Sequence, residues 1–352
     1  MSGASYIFRG GAAIGDALFC SAMPRLLRDE GYDEVVVGCK PVTAPIWENN
    51  PHVARVELFP ERDQDDEAWY QKWVEDEKAK YSRIINTSGH IEVSFLSRTD
   101  LDYGLWPKLE EARDRAAGVS YQDYLYGRCG FDAVGVLPEI YFSTEEQEIV
   151  EQNKRLKDGR KLILWQTQGS TRSKQLVKMP EWLTWAMQEF PDAVHYVWCA
   201  DPDLSARLPK GPVKNMWGAT SVRESLRLVA SADLVVGPES FLVNAAPAFG
   251  VPTIIFFSHS LPDNLSRYYC DSVAITPNCE CHPCYLIGIN FRRVHNIWQR
   301  RVARECERGC QTPDPNYEYR KLGYRCCLEI DDEQVYQALA KIIGNGLTGG
   351  NK

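Results

Sequence analysis

The chain has 352 residues, 44% hydrophobic and 25% charged, the balance of an ordinary globular protein with room for two domains. Its net charge of −8 excludes broad, non-specific nucleic-acid binding, which needs a basic surface. No run approaches about 18 apolar residues and the N-terminal stretch lacks an apolar core of signal-peptide length, so neither a membrane span nor secretion is expected and a cytoplasmic location is.

Residues 5–9 read as a first buried strand, and Gly10, Gly11 and Gly15 mark a close turn before a helix over 16–28. The turn lacks both the Gly-x-Gly-x-x-Gly spacing of a dinucleotide site and the Lys-Ser/Thr of a P-loop, so it suits close approach rather than a pyrophosphate grip. Asp16 reads either as the N-cap of the helix or as a carboxylate at the carboxyl edge of the sheet, where ligands of open α/β sheets bind. Strand-like runs at 35–38, 53–58 and 83–86 alternate with amphipathic segments near 42–49 and 64–80, the rhythm of a parallel sheet. Ser88, His90 and Glu92 follow the last of these strands, and Glu92 reads either as a second carboxylate facing the crevice or as a surface glutamate.

The pattern changes near Pro138, where a charged helix over 145–157 leads into a new buried strand at 161–166. The spacing places a domain boundary at about residue 150, with an N-terminal domain over 1–150 and a C-terminal domain over 151–352. After the new strand, Ser170, Thr171, Arg172 and Lys174 offer hydroxyls, backbone amides and cations, and Lys178 precedes a helix over 180–190. Asp201 and Asp203 flank Pro202 and read as a turn with an N-cap rather than a metal-binding pair. Further strands are expected at 194–199, 233–236 and 253–257, with helices at 221–231, 240–249 and 331–344.

Residues 233–264 are the most informative. They read as a buried strand, a tight turn, a helix beginning with Glu239, Ser240 and Phe241, and a second buried strand. Such a turn aims free N–H groups at whatever lies above the strand ends, so it reads either as a phosphate site, with a nucleotide as the natural ligand, or as one more crossover of an α/β sheet with Ser240 as the helix cap.

Seven of the twelve cysteines lie between Cys279 and Cys327. In a cytoplasmic protein this clustering favours a structural zinc site, with disulfides and free thiols as the alternatives. Cys279, Cys281, Cys284, Cys306 and Cys310 are the candidate ligands, in a Cys-rich insertion over 279–327. Within it, residues 292–304 hold five arginines and no acid, with aromatics interleaved, a segment suited to the phosphates of an acceptor or to a solvated helix face.

Together these segments resemble glycosyltransferase family 9, the ADP-heptose:lipopolysaccharide heptosyltransferases. The likeness is carried by Ile14, Gly15, Asp16 and Ala17 with Pro24, by Asn50, Pro51, His52 and Val53, by Gly169, Ser170 and Thr171, by residues 218–226, and by the block 237–252. It spans about residues 5–262. Glu239, Ser240, Phe241 and Asn244 depart from it, standing where the heptosyltransferases carry Asp-Ser/Thr-Gly and then His.

The resemblance implies an α/β protein of GT-B architecture, two facing Rossmann-like domains with parallel sheets. It implies an inverting transfer of a heptose-like sugar from a nucleoside diphosphate sugar to a hydroxyl of lipopolysaccharide or another glycan, with no required catalytic metal. Asp16 matches the family's catalytic aspartate, with Glu92 in reserve. Ser170, Thr171, Arg172, Lys174, Lys178, Thr220, Glu239, Ser240, Phe241 and Asn244 fall on the donor side, and Gly15, Ser88 and His90 on the acceptor side. Two other functions compete. The arginine-rich segment suits a glycosyltransferase that modifies DNA bases, and Asn244 in place of histidine suits a catalytically silent nucleotide-sugar-binding protein.

Overall fold

A computed structural model describes residues 3–11, 13–59, 67–87, 118–170, 174–279, 282–283 and 325–348. The chain divides into two compact units, one holding the described residues up to 87 together with Ser120–Ile149, the other holding 118–119 and the chain from Val150 onward.

The first unit is built on four parallel strands, β1 (Ala4–Arg9), β2 (Glu34–Cys39), β3 (Arg55–Leu58) and β4 (Arg83–Asn86), in the order β3-β2-β1-β4. Tyr6, Phe8 and Val36 pack with Phe59 and Tyr81 on one face, and Trp73 joins them at 4.7 Å from the Tyr6 ring. The single helix expected over 16–28 is instead two, Ile14–Cys20 and Met23–Asp29. Pro24 explains the break: without an N–H it cannot bond to the carbonyl four residues back, whereas the first turn of a new helix tolerates it. The amphipathic stretch near 42–49 forms only the short 3₁₀ turn Ala44–Ile46.

The second unit carries six strands, β5 (Leu162–Gln166), β6 (Val194–Trp198), β7 (Val213–Asn215), β8 (Leu234–Pro238), β9 (Thr253–Phe256) and β10 (Ser272–Ile275). They are all parallel and run in the order β10-β9-β8-β5-β6-β7. β5, β8 and β9 are buried along their whole length, which is why they read as continuous apolar runs. The helix Met179–Glu189 covers this sheet, and Trp182 stacks on Phe256 at 4.8 Å.

The C-terminal helix Asp332–Thr348 completes the same core. Val335, Leu339 and Ile343 join the buried cluster of the sheet, Trp185 stacks on Tyr336 at 4.5 Å, and Trp182 donates its indole N–H to Asp332 at 2.8 Å.

Both sheets place their first strand at the point where the strand order reverses. In the first unit, β1 lies between β2 and β4; in the second, β5 lies between β6 and β8. Open parallel sheets bind ligands outside the carboxyl ends of the strands at such a switch point, so these two places are where function is sought.

Candidate functional site

At the switch point of the second unit, the chain leaves β5 through the buried Thr167, whose hydroxyl and N–H both donate to the Trp198 carbonyl at 3.1 Å. It then forms a small hairpin in which Gln168 pairs with Gln175 and the Gly169 N–H donates to the Lys174 carbonyl at 3.1 Å. Glycine is required at 169 because a Cβ there would lie 2.7 Å from Cδ of Lys174. With that stem packed on the backbone, the Lys174 ammonium crosses to β8 and donates to the Glu239 carbonyl at 2.9 Å.

Gln166 ties the two strand ends from the other side. Its amide donates to Ser240 Oγ at 3.0 Å, and its Oε1 accepts from the Leu242 N–H at 3.0 Å. Ser240 holds the N-cap position of the helix Phe241–Ala245 without making a side-chain cap bond, so Gln166 supplies the acceptor that the cap does not. Gly237 permits this approach, since a Cβ there would be 3.0 Å from that of Gln166.

Glu239 is sealed inside this arrangement. Its Oε2 is 2.8 Å from Nδ1 of His259, its Oε1 accepts from the Ser260 hydroxyl, and the two ion-pair side chains are 4% and 2% exposed. Burial works to raise the Glu239 carboxyl, but the attraction and hydrogen bond of His259, with Lys174 and Ser260, outweigh it and hold the carboxyl below its ordinary value. The Ser258 hydroxyl lies 3.2 Å from His259 Nδ1, and His282 Nε2 donates to the Ser260 carbonyl at 3.0 Å.

The switch point of the first unit is simpler. Arg9, the last residue of β1, is almost fully buried and donates to Oδ2 of Asp16 at 2.8 Å and to the Thr87 carbonyl at 3.4 Å. Thr87, just past β4, returns a hydrogen bond to the Phe8 carbonyl at 3.0 Å. Asp16 is not the helix N-cap; Ala13 takes that position with no side-chain bond, and Asp16 stands in the first turn of Ile14–Cys20 beside the half-buried Gly15. The Asp16 side chain is 28% exposed, so its charge is compensated from the protein side while part of it stays open to solvent.

The remaining expected site residues are spread differently. Ser170 is exposed on the hairpin, Phe241 is half-buried, and Asn244 is buried with its Oδ1 lacking a partner among the described residues. Lys178 points elsewhere than expected: its ammonium donates to the Ile330 carbonyl at 2.9 Å, pairs with Asp332 and lies 5.9 Å from the Trp182 ring, which commits it to the C-terminal helix. Thr220 bonds to Ser225 Oγ at 3.0 Å, in the turn before the helix Val222–Ser231. Ser88, His90, Glu92, Thr171, Arg172, Cys281, Cys284, Cys306 and Cys310 lie outside the described residues.

Cys279 is buried against Cys326 and Cys327, two cysteines that the spacing argument did not choose. Among the described residues no group of three or more side chains is arranged to hold a metal ion. Asp201 caps the short helix Pro202–Ser205 by accepting from the Leu204 N–H at 2.9 Å, as the turn reading expects.

Arg9, Gln166, His259 and Ser260 belong to these constellations and were missed. The available signal was position: each is the last residue of a strand or follows one by a few places, on the carboxyl edge where ligands gather.

No family model and no curated protein sequence matches the chain. Solved structures do. A glycosyl transferase family 9 protein from Veillonella parvula DSM 2008 superposes with a TM-score of 0.61 at 11% identity, covering 97% of each chain. The ADP-heptose lps heptosyltransferase II of E. coli gives 0.60 at 14% identity over 98% of this chain and 99% of that one. The iron-containing dodecameric glycosyltransferase TibC from enterotoxigenic E. coli H10407 gives 0.58 at 13% identity over 97% of this chain and 76% of that one. At these identities the likeness is one of fold: the chain has the two-sheet α/β fold of these solved structures.

Proposed function

We propose that the protein is a glycosyltransferase that moves a sugar, heptose-like in class, from a nucleoside diphosphate to an acceptor hydroxyl with inversion. The observation that carries this reading is the Arg9–Asp16 pair at the switch point of the first sheet, on a fold shared with glycosyltransferases. A buried guanidinium holds one carboxylate oxygen while the side chain keeps contact with solvent, the condition of a general base that must be oriented yet reachable.

In the proposed step, Asp16 takes the proton of the acceptor hydroxyl as the new bond to the sugar's anomeric carbon forms and the bond to the diphosphate breaks. The departing charge is met by the loop after β5, through its backbone amides with Arg172, without a required metal. Lys174 acts here from a buried position, by fixing the hairpin to Glu239. The acceptor proposed is lipopolysaccharide or another glycan. The segment that favoured nucleic acid lies outside the described residues, and that reading gains nothing.

A structural zinc in the Cys-rich insertion is likewise a proposal, resting on cysteine spacing. No described helix is long and apolar enough to cross a membrane; the cytoplasmic location is proposed.

The second reading, a silent nucleotide-sugar-binding protein, is favoured by the buried Asn244 where the family carries histidine. Incubating the protein with a panel of nucleoside diphosphate sugars and measuring nucleoside diphosphate release separates the two. Release that depends on Asp16 supports the transferase. Tight donor binding with no release, with or without glycan acceptors, would establish the silent protein instead.

A further inference from the structure

We propose that Trp217 stacks on the base of the bound nucleotide, an inference that rests on the nucleotide-sugar reading above. It starts from strand order. On one side of the switch point, β5, β6 and β7 are the first, second and third strands of the unit, and their carboxyl ends lead into Thr167 and Gln168, the turn at 199–201 and the loop at 216–221. In sheets of this order the pyrophosphate lies at the turn after the first strand and the ribose at the end of the second. Adjacent strands are about 4.8 Å apart, so the end of β7 is about 10 Å along the edge from that of β5. A nucleotide laid along the edge brings its base over the loop after β7.

That loop is fixed in place. Asn215 is its anchor: Oδ1 accepts from the N–H groups of Cys199 at 3.2 Å and Trp217 at 3.1 Å, while Nδ2 donates to the Cys199 carbonyl at 3.0 Å and Ser205 Oγ at 3.1 Å. The Met216 N–H continues the pairing to Val197 at 2.7 Å, and Gly218 turns the chain with a φ of 70°, a conformation costly for other residues.

On this ordered loop Trp217 is 58% exposed. The other exposed large hydrophobic residues among those described, Val42, Leu58, Val134, Ile149 and Leu156, are all aliphatic. An indole held out by a rigid loop adds little to the core, but it offers a flat face whose order is already established before a ligand arrives. Every base has a π-face that stacks on such a ring, and the amphipathic ring suits an edge that is apolar on one side and wet on the other.

The test is calorimetric titration of ADP, UDP, GDP and inorganic pyrophosphate into the parent, Trp217→Ala and Trp217→Phe. Trp217→Ala should weaken every nucleoside diphosphate that the parent binds by roughly 5- to 100-fold. Pyrophosphate affinity should stay within about twofold, Trp217→Phe should recover most of the loss, and the melting midpoint should not move, as expected for an exposed side chain. Unchanged nucleoside diphosphate binding by Trp217→Ala, or an equal loss for pyrophosphate, would overturn the stacking assignment. A parent that binds none of the nucleoside diphosphates would instead remove the nucleotide reading beneath it.

Discussion

The two sheets share an order around their first strand, yet their switch points follow opposite electrostatic plans. In the first unit the cation is buried and the anion half-open: Arg9 is 4% exposed at the side chain and Asp16 28%. In the second, the anion is buried together with its partners, Glu239 enclosed by His259, Ser260 and Lys174. A carboxylate that must exchange a proton with a substrate needs a path to it; one that fixes loops needs only partners. The two switch points therefore differ in what faces solvent: part of the anion in the first unit, neither member of the Glu239–His259 pair in the second.

The strongest way to break this comparison is Asp16→Asn. It retains a hydrogen-bond acceptor for Arg9 but cannot take a proton, so transfer measured on the folded protein should fall by roughly 10²–10⁴-fold. Near-parental turnover would make the Arg9–Asp16 pair a clamp like its counterpart. The reverse result is expected at Glu239. Glu239→Ala leaves His259 and the Ser260 hydroxyl buried without their carboxylate and should cost about 3–5 kcal/mol in urea unfolding. A loss under about 1 kcal/mol would show that the second switch point is not the clamp described.

Acid sharpens the contrast further. The imidazole of His195, buried in β6 beside Trp165, is pushed down to about 4 by burial. As pH falls through 6.5 the unfolded chain takes up a proton that the native state refuses until about 4, so the stability is present above 6.5 and lost progressively below it. The loss amounts to roughly 3 kcal/mol at the acid end. Glu239 adds to it in the same direction, because its depressed native carboxyl is protonated last. Both groups lie in the second unit, so hydrogen exchange at pH 4–5 should report opening of β5, β6 and β8 before β1 and β2. His195→Asn, which keeps an acceptor for the Trp165 indole, should flatten that pH dependence. The smallest effect is expected at Ser221, whose capping box with Glu224 opens the helix Val222–Ser231. Ser221→Ala should lower stability by about 1 kcal/mol, a change absent from the first unit's uncapped helix at Ala13.

Much of the fold was legible because buried parallel strands announce themselves locally. β5, β8 and β9 are unbroken apolar runs, and Gly237 and Gly250 punctuate them. β7 and β10 were missed for the opposite reason: Val213–Asn215 and Ser272–Ile275 are short edge strands, mostly half-exposed, whose pairing is decided by the neighbour and not by their own pattern. The candidate site was legible only as places. Gly10 to Asp16, Gly169 to Lys174 and Glu239 to Asn244 were found from turns and strand ends. Their partners were not, because Arg9 with Thr87, Gln166 with Leu242 and Glu239 with His259 are contacts across strands that no local spacing encodes. Lys178 shows the same limit in reverse: its position suggests a phosphate, and the carbonyl it donates to, Ile330, lies 152 residues downstream.

That distance has a temporal meaning. The helix Asp332–Thr348 supplies part of the second unit's interior, and the Trp182 indole N–H and the Lys178 ammonium gain the carboxylate of Asp332 only when it arrives. The first unit's four strands are all made before residue 90. On the ribosome, β1 to β4 can therefore assemble while the second sheet, already synthesised through β10, still waits for its last layer. During that interval the apolar surface that Val335, Tyr336 and Leu339 later cover, with Trp185 on it, stays open to water, and such transiently exposed surface is where aggregation begins.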